Sequence, residues 1–439
     1  MRKTGRSIAV FMAIIFLLSA CSDPTEEYLR QGDTYYDQGR FVEAIAEYSK
    51  AIERNPNLVG AYTRRGAVHN ARAEWDLAIA DLSKAIELDP GRAEDYQNRA
   101  FAYLAREQYD PAIADLIKTV ELDPSARLAY TNLSWLYVHK GEWDKAIAAA
   151  DKAIELDDSD YSAFFNRGTA YFAKGDLARA LADMDSTLRI NPNIAPAYTC
   201  RGKIKILTDN LTQAVEEFNK AIQLDPDTAE PYKFRGFTHV ALKNAEQALA
   251  DLNRAIQLDD ADAMAYYYRG HLFNANGEFD RALDDLNRAL LLAPTEPTTA
   301  VPYDPFKYDP DGIYLERAIA YRGNQELALA VADAKKAVDL NPGYARAQAT
   351  YGEMLLANGD VEAALPALNR AIELDPGMAE AYINRAVLWE VTAINTKDTK
   401  YYELCAADLR KVIELNTDPE LVAQAWDAIR KMQSKGYIP

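Results

Sequence analysis

The chain repeats one pattern of residues every 34 positions over most of its 439 residues. Seven copies end in an Asn-Pro or Asp-Pro pair, at Pro56, Pro90, Pro124, Pro192, Pro226, Pro342 and Pro376. In each of these copies a Gly or Ala lies 24 positions before the Pro, and an Ala lies 12 positions before it. Small residues on two apolar-periodic segments let two helices pack closely, and the Pro ends the second helix. One such helix pair cannot bury its own apolar face, so successive copies must stack to form a core.

The second copy shows the full pattern, with Tyr62, Gly66, His69, Ala78, Leu82, Ala85 and Pro90. This pattern resembles the tetratricopeptide repeat (TPR) family, whose signature alternates aromatic and small residues and closes with Pro. The resemblance implies an all-α, right-handed superhelical solenoid of about 11 helix-turn-helix repeats. It also implies a concave groove that binds peptides or extended protein segments, and it implies no chemistry.

The signature fixes the register of the repeats. They begin at residues 25, 59, 93, 127, 161, 195, 229 and 263, and then at 311, 345 and 379. Repeats 1–8 therefore occupy 25–296 and repeats 9–11 occupy 311–417. Residues 297–310 form a Pro/Tyr-rich insertion whose prolines forbid helix. It is either a solvated linker whose Tyr303, Phe306 and Tyr308 pack on adjacent helices, or a loop that contacts a partner.

The last part of the chain departs from the regular spacing. Seven extra residues lie inside repeat eleven, around Asn395 to Lys400, and predict a longer turn between its two helices. Asp418 and Pro419 are typical of a helix N-cap and first turn. Residues 418–439 therefore predict a C-terminal capping helix that ends near Ser434 and closes the stack.

The N-terminus carries a targeting signal. Basic residues are followed by an unbroken apolar run over 8–18, which is too short to span a bilayer as a mature helix. Leu18, Ser19, Ala20 and Cys21 then resemble a bacterial lipobox, in which the Cys thiol takes the lipid. We therefore predict a lipoprotein signal peptide at 1–20 and a lipidated Cys21 with its tether at 21–27. The alternative is an ordinary secretory signal that is cleaved after Ala20.

A lipobox implies a membrane partner through the lipid anchor and a place in the bacterial cell envelope. The protein would face the periplasm or the cell exterior. Ser22, and not Asp, follows the Cys, which favours the outer membrane if the organism is Gram-negative.

Charge and motif content exclude several functions. The net charge of −18 argues against a nucleic-acid partner. The four histidines are scattered without metal-ligand spacing, and neither a Gly-rich phosphate loop nor a nucleophile elbow is present. We therefore predict no enzyme, no cofactor and no metal.

A coupled pair of positions recurs inside the repeats. Position 7 is Arg in eight repeats, and position 23 is acidic in the same eight, allowing for the insertion in repeat eleven. The pairs are Arg65 and Asp81, Arg99 and Asp115, Arg167 and Asp183, Arg201 and Glu217, Arg235 and Asp251, Arg269 and Asp285, Arg317 and Asp333, and Arg385 and Asp408. Repeat four has Leu133 with Ala149 instead, and repeat ten has Tyr351 with Ala367. Because Arg and acid disappear together from these two repeats, we predict structural ion pairs between the two helices, not catalytic acids.

The predicted binding surface is the inner face of the first helices, which positions 2, 5, 6, 9, 12 and 13 line in the family. Position 6 reads Asn98, Asn132 and Asn166 in three successive repeats. An Asn amide both donates and accepts hydrogen bonds, so this ladder is suited to holding an extended peptide backbone. The alternative is that Asn is merely tolerated on a wet surface.

Large aromatic residues occupy the same face in repeats three to eight. They are Phe101, Trp135, Phe165, Phe172, Phe234, Phe237, Tyr267 and Tyr268. Since other residues already fill the core positions, this surplus predicts a ligand with apolar anchors. The family's carboxylate clamp needs Lys and Asn at positions 5 and 9 of one repeat, which no repeat here has.

The sequence thus favours a lipid-anchored TPR protein that binds protein segments as a scaffold or assembly factor of an envelope complex. A periplasmic chaperone that holds extended clients is the alternative, and a hydrolase is a third, weaker one. Saturable binding of one partner favours the scaffold, whereas suppression of the aggregation of many clients favours the chaperone.

Overall fold

The computed structural model describes residues 24–292 and 310–439, and every regular element in these ranges is an α-helix. The 23 described helices follow one another as consecutive antiparallel pairs with a final single helix, which confirms the all-α repeat fold. The described chain divides into two compact units. Unit 1 comprises residues 24–192, and unit 2 comprises residues 193–292 and 310–439.

Unit 1 contains repeats one to five. The first helix of each repeat, helix A, packs on the second, helix B, and helix B packs on helix A of the next repeat. The helices are α1 Pro24–Asp37, α2 Phe41–Arg54, α3 Val59–Ala71, α4 Trp75–Leu88, α5 Ala93–Ala105, α6 Tyr109–Leu122, α7 Arg127–His139, α8 Trp143–Leu156, α9 Tyr161–Ala173 and α10 Leu177–Ile190.

Unit 2 contains repeats six to eleven and the last helix, packed in the same alternating way. The helices are α11 Ala195–Leu207, α12 Leu211–Leu224, α13 Ala229–Ala241, α14 Ala245–Leu258, α15 Ala263–Ala275, α16 Phe279–Leu291, α17 Pro310–Gly323, α18 Leu327–Leu340, α19 Ala345–Ala357, α20 Val361–Leu374, α21 Ala379–Thr396, α22 Lys400–Leu415 and α23 Pro419–Ser434.

Proline ends most of the B helices by acting on the residue before it. Asp89 precedes Pro90 and has extended backbone angles, φ −145° and ψ 94°. A residue before Pro is disfavoured in the helical region, because the Pro ring would clash with its backbone. The Asp89 carboxylate then accepts a hydrogen bond from the Gly91 N–H at 3.0 Å, which fixes the turn into the next repeat.

Small residues at position 8 of helix A make room for large side chains at position 24 of helix B. A Cβ atom on Gly66 would lie 2.7 Å from Leu82, and one on Gly202 would lie 2.5 Å from Phe218. Leu82 and Phe218 are fully buried. The close approach of the two helices therefore depends on the missing side chain.

The turn between helices A and B needs a left-handed residue at position 15. In ten repeats this residue has positive φ, and in five of them it is Gly. The others are Ala73, Glu107, Asp209, Lys243 and Gln325, with φ between 58° and 64°. Because L-residues with a side chain rarely adopt this conformation, these five turns store a small conformational cost.

The prediction of a longer turn in repeat eleven is wrong. The turn between α21 and α22 spans only 397–399, as short as the turn at 72–74 in repeat two. The extra residues instead lengthen the helices, α21 to 18 residues and α22 to 16. Residues 391–396 continue the helix, and Lys397, with φ 58°, ends it.

The last helix, α23, closes unit 2. Asp418 accepts hydrogen bonds from the N–H groups of Glu420 and Leu421, as an N-cap does. Met432 is buried against the last repeat, and Tyr437 stacks on Tyr402 with ring centroids 4.2 Å apart. The cap thereby covers the apolar end of the stack.

Candidate protein-binding surface

Repeat positions 2, 5, 6, 9, 12 and 13 define one surface in each unit, here called the A-helix face. Within each unit, helix A of most repeats packs directly on helix A of the next repeat, as α3 does on α5 and α7 on α9. These positions therefore lie side by side along neighbouring A helices. The predicted Asn ladder and the predicted aromatic residues belong to this surface.

Two of the three asparagines in the predicted ladder have side-chain amides that make no hydrogen bond among the described residues. Asn98 and Asn132 are half-buried, and among the described residues their side-chain amides make no hydrogen bond. Asn166 differs, since its amide donates to the Ser134 hydroxyl at 2.8 Å and only 5% of the residue is exposed. The assignment of Asn166 as a ligand-binding rung is therefore wrong, because the small residue at position 8 of repeat four gives its amide a buried partner.

The open aromatic side chains of unit 1 lie beside these asparagines. Phe101 is 52% exposed and contacts Trp75 edge-on at 5.9 Å between ring centroids. Trp135 is 37% exposed and contacts Tyr109 in the same geometry at 6.0 Å. In both pairs the aromatic residue at position 9 packs on the one that begins the preceding helix B. One edge of each ring is fixed by the protein, and the other faces solvent.

The rest of this surface in repeats three to five is nearly free of charge. Leu128 is 52% exposed, and Phe165 and Phe172 are half-buried. The A-helix face positions of these repeats include a single carboxylate, Glu94, and neither Lys nor Arg. In a chain with 26% charged residues, such a strip of apolar and amide groups is a distinct surface.

The aromatic residues of unit 2 are less accessible than the sequence predicts. Only 3% of Phe234 and 6% of Tyr268 are exposed. Phe234 stacks on Phe218, and Tyr268 lies 4.7 Å from Phe237 between ring centroids. The assignment of Phe234 and Tyr268 as open ligand pockets is wrong, since Phe218 of the preceding B helix covers one ring and Phe237 of the preceding A helix covers the other. Phe237 and Tyr267 are half-buried, and burial raises the pKa of Tyr267.

A charged cluster lies on the A-helix face of unit 2. The carboxylate of Glu316 is 3.0 Å from His271 Nδ1 and 3.3 Å from Arg346 Nη2, and it accepts a 3.0 Å hydrogen bond from Asn274. Sequence analysis treated His271 as an isolated residue and missed this cluster. The repeat register places all four residues on one face, but the insertion at 297–310 separates Asn274 from Glu316 along the chain.

The Arg residues at position 7 are here called the ladder arginines. The structure places each of them against the acid that the sequence pairs with it. In seven repeats the guanidinium Nε and Nη2 groups both donate to an aspartate, at 2.6–2.9 Å. In repeat six, Arg201 contacts Glu217 through one oxygen, and the other oxygen of Glu217 is buried without a partner among the described residues. All eight acids are at most 9% exposed, so each pair joins helix A to helix B.

The same arginines have a further partner that sequence analysis missed. In seven repeats Nη1 donates at 2.5–2.9 Å to position 25 of the preceding repeat, which is Ser49, Ser83, Asp151, Asn219, Asn253, Asn287 or Asn369. The sequence does contain a signal for this hydrogen bond. Before repeats four and ten, which lack the Arg, this position is Ile117 or Lys335, neither of which accepts a hydrogen bond.

Several predicted features lie outside the described residues, namely Cys21 with the signal segment, and Tyr303, Phe306 and Tyr308 of the insertion. None of the helices in 24–292 and 310–439 is long and apolar enough to cross a membrane. These ranges also contain no group of three His, Cys, Asp or Glu residues placed to hold a metal ion. Cys200 and Cys405 are free thiols, and burial raises the pKa of each to about 12.

Comparison with known proteins assigns the repeats. Models described as tetratricopeptide repeat match residues 98–161, 195–228, 263–296 and 315–379, and one described as TPR repeat matches 32–71. Together these ranges cover more than half of the chain. No curated protein sequence matches it.

Solved structures resemble this chain to different degrees, and one of them shows the same fold over nearly the whole chain. Cut9-Hcn1, a hetero-tetramer of the APC/C, aligns with 95% of this chain and 97% of its own at 13% identity and a TM-score of 0.54. A tetratricopeptide repeat protein from Parabacteroides merdae aligns over 54% of this chain and 93% of its own, at 18% identity and a TM-score of 0.43. MamA is 29% identical over 37% of this chain and 94% of its own, with a TM-score of 0.36. By its repeats and its fold, this chain belongs to the tetratricopeptide repeat family.

Proposed function

We propose that the A-helix face of repeats three to five binds an extended protein segment. Proteins of this family bind protein or peptide partners, and the observation that supports this place is the uncharged strip around Phe101 and Trp135. Apolar side chains of the segment would pack on these two rings and on Leu128. The open amides of Asn98 and Asn132 would hydrogen-bond its backbone, which carries no sequence information.

Rigid aromatic rings suit this role. Trp75 and Tyr109 hold Phe101 and Trp135 from one side, so little side-chain entropy is lost when a ligand covers the other side. Charged side chains lie at the edge of the uncharged strip. Lys140, for example, pairs with Asp110 of the preceding repeat at 2.5 Å. A segment that lies on the strip therefore meets apolar and amide groups before it meets charge.

We further propose that the protein is anchored in a bacterial envelope through Cys21 and acts there as a scaffold or assembly factor. The lipobox-like sequence supports the anchor, and a fold typical of protein-interaction scaffolds supports the role. A chaperone that holds extended clients would use the same strip. Stoichiometric, saturable binding to one envelope protein would support the scaffold, and suppressed aggregation of many unrelated clients would favour the chaperone.

The binding surface is tested with a peptide array drawn from envelope proteins, probed with the fragment that begins at Ser22. Asn98→Ala combined with Asn132→Ala should weaken all bound peptides alike, because backbone hydrogen bonds do not select sequence. Phe101→Ala or Trp135→Ala should change which peptides bind, since each removes an apolar contact worth about 1–3 kcal/mol.

The matched control is Leu77→Ala on helix B. Leu77 is 54% exposed, so this substitution removes a similar apolar side chain from a different surface. It should leave the peptide profile unchanged. If the A-helix face variants also keep the wild-type profile, the ligand binds elsewhere and the proposal is wrong.

A further inference from the structure

Repeat one begins close to the residue that would carry the lipid. Helix α1 starts at Pro24, three positions after Cys21. Three residues of chain span at most about 11 Å even when they are fully extended. The lipid anchor proposed above would therefore hold the start of α1 within about 11 Å of the lipidated residue.

The first turn of α1 is part of the packed fold, so it does not lengthen this tether. Only 3% of Thr25 is exposed, and Leu29 packs against the buried cluster that includes Tyr48. Unwinding the turn would expose these apolar contacts to water, which is unfavourable. The distance limit therefore applies to the folded repeat.

The C-terminal end of α2 lies beside the first turn of α1. Lys50 Nζ of α2 is 5.8 Å from the centre of the Tyr28 ring of α1, and Arg54 lies in the last turn of α2. Lys50 pairs with Glu47 at 2.7 Å. The exposed guanidinium of Arg54 has no hydrogen bond or ion pair among the described residues. This end of repeat one, which carries Tyr28, Lys50 and Arg54, is here called the anchor-proximal end.

Arg54 occupies a position that is apolar in every other repeat. Position 30 is Leu in nine of the other ten repeats and Ile in repeat five, allowing for the insertion in repeat eleven. The next residue is Asn55, whereas six other repeats have Asp at that position. Ten repeats form this turn without the Arg, so the fold itself does not require a cation there. The turn nearest the proposed anchor therefore has a positive charge that the other repeats lack.

We propose that the anchor-proximal end of repeat one lies on the membrane surface, with Arg54 bound to the phosphate groups of lipids. This inference rests on the lipid anchor proposed above and names the partner of the repeat next to that anchor. A guanidinium donates paired N–H groups to phosphate oxygens, and the headgroup of every glycerophospholipid carries a phosphate. Two exposed acids, Glu26 and Glu53, lie at the same end, so the contact depends on Arg54 and not on a wide basic patch.

This contact would also keep the uncharged strip close to the bilayer. Helix α1 packs on α3, and α3 packs on α5, which carries Phe101. Because the axes of packed helices are about 8–10 Å apart, α5 lies within about 20 Å of α1. With the short tether, Phe101 would lie within about 40 Å of the headgroups. The segment that binds the strip would then belong to a membrane-proximal part of its protein.

The test measures contact between repeat one and lipid by photo-crosslinking. Asn57 is exposed in the turn that follows α2, and it is replaced by p-benzoylphenylalanine in the full chain. The lipidated protein is reconstituted in vesicles of phosphatidylethanolamine and phosphatidylglycerol, and irradiation should give lipid adducts. A Gly/Ser linker of about 20 residues, inserted between Ser22 and Asp23, should lower the adduct yield several-fold. Such a linker adds about 25 Å of mean reach, so repeat one would leave the surface.

Two substitutions test the role of Arg54. Arg54→Leu introduces the residue that nine other repeats have, and it should lower the adduct yield about two- to fivefold, because one cation near an anionic surface is lost. The matched control is Arg189→Leu. Arg189 is an exposed residue in the last turn of α10, so its loss changes the net charge equally at another repeat. This control should keep the wild-type yield.

Equal adduct yields with the short and the lengthened tether would overturn the proposal. So would a wild-type yield in Arg54→Leu, or an equal loss in Arg189→Leu. Fatty-acid labelling of the same samples separates this contact from the anchor. A chain that takes up no label has no anchor, and both proposals are then wrong, whereas a labelled chain without lipid adducts refutes the contact alone.

Discussion

At the scale of single residues, the ladder arginines join the helices through polar contacts, as the buried alanines join them through apolar contacts. Each guanidinium lies in a half-buried place between helices, where an uncompensated charge would be costly. It meets this cost by donating to a carboxylate of its own repeat and to position 25 of the repeat before. One side chain therefore joins three helices. It fixes the register of neighbouring repeats as well as stabilising them.

Arg235 provides the test of this role. Arg235→Ala should cost about 1–4 kcal/mol in the free energy of local unfolding, because it leaves Asp251 buried without its partner. Arg235→Leu combined with Asp251→Ala reproduces the pairing of repeat four and should recover much of the loss. Hydrogen exchange of the amides in α13 and α14 is the measurement, since a long array need not unfold in one step. Strictly additive effects of the two substitutions would contradict the contact.

The sequence predicts the ion pairs better than it predicts the binding surface. Arg and acid disappear together from repeats four and ten, so comparison within one chain exposes their contact. The burial of Asn166 and Phe234 depends on a neighbouring repeat. Ser134 binds the amide of Asn166, and Phe218 covers the ring of Phe234. The repeat register assigns a residue to a face, but it does not tell which neighbour covers the side chain.

At the scale of helices and turns, local rules account for nearly all of the architecture. The Pro signals and the small residues place the helix pairs, because each repeat is specified within its own 34 residues. Repeat eleven was mispredicted because an insertion was assigned to the turn, although its residues could extend both helices. The left-handed residue at position 15 escaped the sequence analysis because only half of these positions are Gly.

The turn at position 15 gives a prediction about stability. Gln325→Gly should stabilise the α17–α18 pair by about 0.5–1 kcal/mol, because Gly relieves a left-handed conformation that costs other residues about 1–2 kcal/mol. Denaturant titration with local hydrogen exchange measures the change. The reverse substitution, Gly359→Ala, should destabilise by a similar amount, since φ is 90° there and space for a Cβ is open. A neutral or opposite result in both variants would show that the turns carry no such cost.

At the scale of the whole molecule, the two units carry chemically different surfaces. The A-helix face of unit 1 has its exposed aromatic residues beside open amides, whereas that of unit 2 covers its rings and presents paired charges. The fold constrains the two surfaces equally, so their difference reflects the residues at a few positions. The proposed function therefore depends on the residues at those positions and not on the repeat itself.

The proposed membrane anchor also concerns the whole molecule. Expressed in a bacterium that processes lipoproteins, the wild-type chain should incorporate labelled fatty acid and partition into detergent. Cys21→Ala should do neither, because the thiol that takes the lipid is gone. Failure of the wild-type chain to take up label would rule out the anchor, while binding by the soluble fragment from Ser22 would be unaffected.

The hydrogen bond that seven of the ladder arginines make to the preceding repeat gives the coupling between repeats a direction. When a repeat loosens, the arginine of the next repeat loses an acceptor, whereas the preceding repeat loses only a donor to a side chain that water can replace. Disturbance therefore travels preferentially toward the C-terminus. Leu133 and Tyr351 make no such bond, so this coupling between repeats is interrupted there. We therefore expect repeats four and ten to limit how far local unfolding spreads along the chain.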